Sequence, residues 1–138
     1  MKEKRYANLA LVYAVLAMAG GVFYREFTKF NGFQGRTALG LVHTHYFLLG
    51  MVFFLLLLLL EKSLGFSGKN TGKVLAVYQV GLNLAALMLL CRGLVQVRGA
   101  ELAAAWEGAL SGMAGVGHIL LGVSLMLLLL QIKKSCTR

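Results

Sequence analysis

From Leu39 to Leu60 the chain runs 22 residues without a carboxylate, a lysine, an arginine or a proline, and it ends in six consecutive leucines. At about 1.5 Å per residue a helix of that length spans about 33 Å, enough for a hydrocarbon core of about 30 Å. The stretch therefore reads as a membrane-crossing helix, and it carries two histidines, His43 and His45, near one end. Three further apolar runs have the same character, and the sequence predicts four crossing helices over residues 6–23, 39–60, 73–91 and 111–132. The expected fold is all-α, an integral membrane four-transmembrane-helix bundle forming a single domain over residues 1–138.

Composition supports this class and excludes others. Hydrophobic residues make up 59% of the chain, and they lie in long runs rather than at amphipathic spacing, which excludes an ordinary soluble domain. The formal charge of +9 does not indicate nucleic acid, because the basic residues sit in short clusters between the runs, where loops meet anionic lipid. Nine of them fall at the two termini and the middle loop: Lys2, Lys4, Arg5, Lys62, Lys69, Lys73, Lys133, Lys134 and Arg138. The other two loops hold Arg25, Lys29, Arg36, Arg92 and Arg98. The positive-inside rule then puts both termini in the cytoplasm. The two cysteines, Cys91 and Cys136, fall on opposite sides of the membrane, so no disulfide between them is expected. The basic start and Ala17-Met18-Ala19 also resemble a signal peptide, but a retained first helix is expected.

Between the runs, residues 24–38 and 92–110 read as interfacial segments. Phe23, Phe27 and Phe30 share one helical face among Arg25, Glu26 and Lys29, Asn31-Gly32 breaks the first segment, and Trp106 suits a headgroup anchor in the second. A gapless shift of Gly40 onto Gly112 superposes Gly50 on Gly122, Leu48-Leu49 on Leu120-Leu121 and Lys62 on Lys134. This suggests two repeated helical hairpins.

The three histidines fall in the outer third of the membrane under this topology, and ionisable groups at that depth face the bundle interior or one another. His43 and His45 lie about 200° apart on an unbroken helix, so they cannot readily chelate one metal together. In the repeat alignment His118 lies three residues beyond His43, on nearly the same face. His43 with His118, or His45 with His118, can approach one centre from two helices, the arrangement of a bis-histidine haem. Small residues at the same level, such as Gly20, Gly21, Gly40, Gly115 and Gly117, leave room for a flat macrocycle or serve only close helix packing. Copper or zinc with Cys91, Met18, Met88 or Met113 is a weaker alternative, because no Met-x-x-Met or Cys-x-x-Cys is present.

The competing reading makes the histidines neutral interhelical hydrogen bonders to Tyr13, Tyr46, Asn83 or a carbonyl, in a structural or partner-binding subunit with no cofactor at all. A third makes them the wall of a quinone or other small-ligand pocket. Tyr46 and Asn83 are candidates to support the site under the haem reading, Thr44 is expected to bond back into its own helix, and Gln79 reads as an interhelical donor. A redox partner or a homodimer is compatible with each reading. No nucleophile with a base at workable spacing is visible, and no broken helix or intramembrane acid supports transport.

The run from Gly40 to Met51, with Tyr24-Arg25-Glu26-Phe27 and Gly117-His118-Ile-Leu-Leu-Gly122, resembles a family of small four-helix bacterial membrane proteins defined by a domain of unknown function. The resemblance covers nearly the whole chain. It implies a four-helix fold in a bacterial inner membrane and brings no established activity. Histidine on glycine-rich helices near the outer face is also similar, in a generic way, to b-type cytochromes and the haem-carrying helices of respiratory oxidases.

Overall fold

The structure, a computed structural model, describes residues 2–137, so Met1 and Arg138, the last of the basic residues counted above, lie outside it. The described residues form four helices, α1 Lys2–Phe30, α2 Leu39–Leu64, α3 Thr71–Arg98 and α4 Ala104–Cys136, each long and apolar enough to cross a membrane. At about 1.5 Å per residue they measure about 39 to 50 Å, long enough to reach through the headgroup layers as well as the hydrocarbon of a bilayer.

The expected interfacial segments are therefore mostly continuations of the spans. α1 runs on through Tyr24–Phe27, α3 through Arg92, and residues 104–110 are the first turns of α4. The reason is local. Nothing in those stretches stops a helix until a glycine takes a left-handed conformation: Gly32 (φ +58°) follows the end of α1 and Gly99 (φ +62°) ends α3, as Gly65 (φ +54°) ends α2. At Gly99 the stop is a Schellman pair, with Gly99 N–H donating to Gln96 O and Ala100 N–H to Val95 O, both at 3.2 Å. The interfacial character survives at the helix ends. Phe23 and Phe27 stack at 5.2 Å, the Arg98 guanidinium sits 5.9 Å from the Phe27 ring centre, and Trp106 is exposed.

Polar contacts tie each end of the bundle. At the end carrying both termini, Lys2 Nζ donates to Ser67 O at 3.0 Å and lies 3.6 Å from the buried Glu61 carboxylate, which also accepts Ser67 N–H at 3.0 Å. Thr71 Oγ1 donates to Gln131 Oε1 at 2.8 Å, joining the start of α3 to α4. At the opposite end Gln96 Oε1 accepts Ala38 N–H at 2.8 Å, and Arg92 donates to Ser111 Oγ at 2.6 Å.

The helices associate as two hairpins, α1 with α2 and α3 with α4, joined mainly through α2 and α3. Lipid offers no hydrophobic drive for this, so close backbone approach and shape carry it. A Cβ at Gly81 would lie 2.7 Å from Leu121 N, and one at Gly117 would lie 2.9 Å from Ala85 N, so these two glycines let α3 and α4 touch backbone to backbone. A Cβ at Gly50 would lie 2.6 Å from the Tyr13 side chain, and one at Gly93 would collide with the Leu39 backbone. The hairpin pairing fits the internal repeat, yet the superposed glycines do not share a role: nothing lies within 4 Å of the Cβ position of Gly122. The core gathers toward the terminal end, around Tyr6, Tyr13, Phe54, Leu57, Tyr78 and Leu128.

Gly81→Ala and Gly117→Ala should each destabilise the α3–α4 hairpin by about 1 to 3 kcal/mol, as overpacking does elsewhere. Gly115→Ala, at a position with open space around it, should leave stability within about 0.5 kcal/mol. Denaturation in mixed micelles followed by circular dichroism measures the difference.

Candidate functional site

Residues Leu39–His45 form the regular α-helical start of α2, and the two histidines there leave it on opposite faces. His43 faces α1. Its ring lies 3.7 to 3.8 Å from the Cβ position of Gly21 and stacks beside Tyr24 at 6.2 Å between ring centres. Its Nδ1 is buried without a hydrogen-bond partner. With one face of α2 taken by α1, the face about 200° away, which carries His45, turns toward the other hairpin. There His45 meets His118 of α4, with ring centres 6.1 Å apart and planes at 88°. Of the two pairings the sequence left open, the structure brings His45 and His118 together and leaves His43 on α1.

Both paired rings are held the same way. His45 Nδ1 lies 2.8 Å from Leu41 O, and His118 Nδ1 lies 2.7 Å from Ala114 O, each carbonyl four residues earlier in the same helix. A carbonyl only accepts, so Nδ1 carries the proton in both, and in the neutral ring Nε2 keeps its lone pair. The hydrogen bonds of this pair thus stay within their own helices, as does that of Thr44, whose hydroxyl donates to Leu41 O at 2.9 Å. The expected hydroxyl partners of the histidines bond elsewhere: Tyr46 OH donates to Asn83 Oδ1 at 3.1 Å, and Asn83 Nδ2 donates to Tyr13 OH at 3.0 Å and to Gln79 O at 2.8 Å. Tyr46 and Asn83 therefore link α1, α2 and α3 through Tyr13, and Gln79 Nε2 bonds back to Leu75 O at 3.4 Å instead of to another helix.

Directly after His45 the helix widens into a π segment, Tyr46–Val52. At its far end Phe53 N–H points to Leu48 O, five residues back, and to Gly50 O. The Leu49 carbonyl, which a regular α-turn would have given to Phe53, instead accepts the Tyr78 hydroxyl at 2.8 Å. Tyr78 is fully buried, and its ring stacks on Phe53 at 4.3 Å. On the other side of the segment Gly50 admits the Tyr13 ring, which stacks on Phe54 at 5.6 Å and 3°. The sequence reading treated 39–60 as one regular helix and missed this. The available signal was Gly50 inside a span, with tyrosines at the same depth on α1 and α3.

Two anchored imidazoles with open Nε2 atoms form a donor set. With ring centres 6.1 Å apart, the two histidines could together hold one metal centre. Zinc asks for three or four protein ligands, and among the described residues no group of three or more His, Cys, Asp or Glu is placed to hold a metal. Haem iron asks for only two, because the macrocycle supplies the rest. His118 is exposed, and Gly115 and Gly122, three and four residues away on α4, have nothing within 4 Å of their Cβ positions. Two histidine donors without a third protein ligand among the described residues suit a group that brings its own remaining ligands better than a bare ion, and the surface of α4 is bare at Gly115 and Gly122. Cys91 and Cys136 carry free thiols, and Met18 and Met113 are about half exposed.

Removing the Tyr78 hydroxyl strands the Leu49 carbonyl where no water replaces it. Tyr78→Phe should cost about 1 to 3 kcal/mol, whereas Tyr46→Phe, which loses an ordinary interhelical bond, should cost about 0.6 kcal/mol. Unfolding in mixed micelles ranks the two, and the opposite order would show that the π segment does not depend on Tyr78.

Neither the curated proteins nor the solved structures include a significant match to the chain. A family model does match, over residues 3–135, under the description Protein of unknown function (DUF2871). With nearly every residue covered and four helices in the fold, the chain belongs to that family.

Proposed function

We propose that this is a bacterial inner-membrane haem protein of electron-transfer type, with both termini in the cytoplasm and His45 and His118 as the residues that would hold a haem b. The observation that carries the reading is the matched anchoring of the two rings: each gives its Nδ1 proton to a carbonyl of its own helix. Ligating histidines characteristically donate their second nitrogen in this way, which fixes the tautomer and raises the basicity of the first. The ligands come from different hairpins, so α2 and α4 hold the group between them. Haem, when bound, supplies one-electron redox chemistry.

The chain's own residues account for the rest. The Leu41 and Ala114 carbonyls orient the rings, and the Tyr13–Asn83–Tyr46 link fixes α2 against α3 one residue beyond His45. His43 acts in packing against α1 and is not an axial ligand. The orientation rests on the excess of lysine and arginine at the terminal end. A redox partner, a quinone or a second copy of the chain is compatible with this reading. In the non-catalytic alternative the same two carbonyl bonds satisfy the Nδ1 protons and the rings meet only in edge contact.

The visible spectrum of protein purified in detergent after expression with ample haem tests the reading. A Soret band that shifts on dithionite reduction is expected, abolished by His45→Ala and by His118→Ala and retained in His43→Ala. Loss in the His43 variant with retention in His45→Ala would move the ligand to the other face of α2. A featureless spectrum from haem-replete cells, with no metal by elemental analysis, would sink the proposal.

A further inference from the structure

At the terminal end of the bundle a cavity of about 300 Å³ opens between the middle loop and the last turns of α4. Lys69 and Asn70 line it from the loop, and Gln131, Lys134 and Ser135 line it from the helix. No carboxylate among the described residues pairs with either lysine. The nearby Glu61 is already committed, to the Lys2 ammonium and to Ser67 N–H, and Gln131 has spent its Oε1 on Thr71. The wall thus offers two lysines, the side-chain amides of Asn70 and Gln131 and the Ser135 hydroxyl, with no free carboxylate among its lining residues. On the far side of the same loop a smaller cavity of about 90 Å³ adds Lys2 and Arg5 to its wall.

A doubly cationic pocket with amide and hydroxyl donors and no carboxylate in its wall suits a phosphate group. Its position on α4 indicates what carries that phosphate. Lys134 lies four residues after Leu130 and seven after Leu127, so all three share one helical face, and both leucines are about half exposed, at 51% and 44%. An exposed leucine track thus leads from the hydrocarbon to the lysines, giving acyl chains a surface below the headgroup. We propose that this cavity binds the headgroup of an anionic phospholipid in the leaflet on the terminal side of the membrane, clamping the middle loop to the end of α4. The inference rests on the four-span fold and is independent of the haem reading.

Native mass spectrometry of the full chain released from detergent, titrated with phosphatidylglycerol or phosphatidylcholine, tests it. One retained phosphatidylglycerol is expected, held at least tenfold more tightly than phosphatidylcholine. Lys69→Gln with Lys134→Gln should weaken it roughly tenfold, and Lys29→Gln at the opposite end should not. Equal retention of the two lipids, or undiminished retention in the double variant, overturns the proposal. Displacement by inorganic phosphate also overturns it and assigns the pocket to a soluble phosphate ester. If the double variant fails to insert, the wild type still decides: retention must fall as ionic strength rises from about 0.1 to about 1 M and the screening length drops from about 10 to about 3 Å, and constant retention counts against the lipid.

Discussion

A carbonyl released from its helix inside a bilayer has no water to turn to, and Leu49 carries such a carbonyl. The Tyr78 hydroxyl that satisfies it comes from α3, so the widened turn of α2 exists only with the second hairpin in place. Much else follows from that turn. It lies beside Gly50, where α1 approaches closely enough for Tyr13 to stack on Phe54, and it begins one residue after His45. An extra residue in the turn changes the angular relation between the parts of α2 before and after it. His45 and the buried Phe54 and Leu57 can thus face different neighbours than a regular helix would allow.

Glycine sets the second constraint. Gly81 and Gly117 let two backbones meet, Gly50 accepts an aromatic ring, and Gly93 accepts the Leu39 backbone. Gly108, Gly112, Gly115 and Gly122 meet nothing at all. α4 is therefore closely packed along one face and bare along another, and His118 projects from it as an exposed residue three positions from Gly115. His45 reaches it across the gap between hairpins, which is why the candidate site lies at a seam and not in the main aromatic core.

The number of spans and their all-helical character were legible because uninterrupted apolar runs leave the backbone no other solution in lipid. Span ends were less so. Arg25, Lys29 and Arg92 suggested surface segments, but charged side chains at helix ends reach the headgroups without ending the helix, and only Gly65 and Gly99 mark the actual stops of α2 and α3. At the candidate site the sequence supplied the three histidines and the argument that His43 and His45 diverge. Which of them meets His118 depends on which face of α2 packs on α1, where His43 lies against Gly20 and Gly21, and that pairing cannot be read from spacing. The π segment was illegible because its cause is shared between Gly50, Tyr13 and Tyr78 on three different helices.

The contact between Lys2 and Glu61 bears on how such a chain enters a membrane. Glu61 stands at the end of the leucine run, where an uncompensated carboxylate opposes burial. Its counter-ion lies 59 residues earlier, at the first turn of α1. The charge at the end of the second span is thus neutralised only once the first span lies alongside it, with Tyr6 and Ser67 closing the same corner. The α1–α2 hairpin is in this sense a unit of insertion: two segments that balance each other's polar ends and reach the bilayer most favourably as a pair.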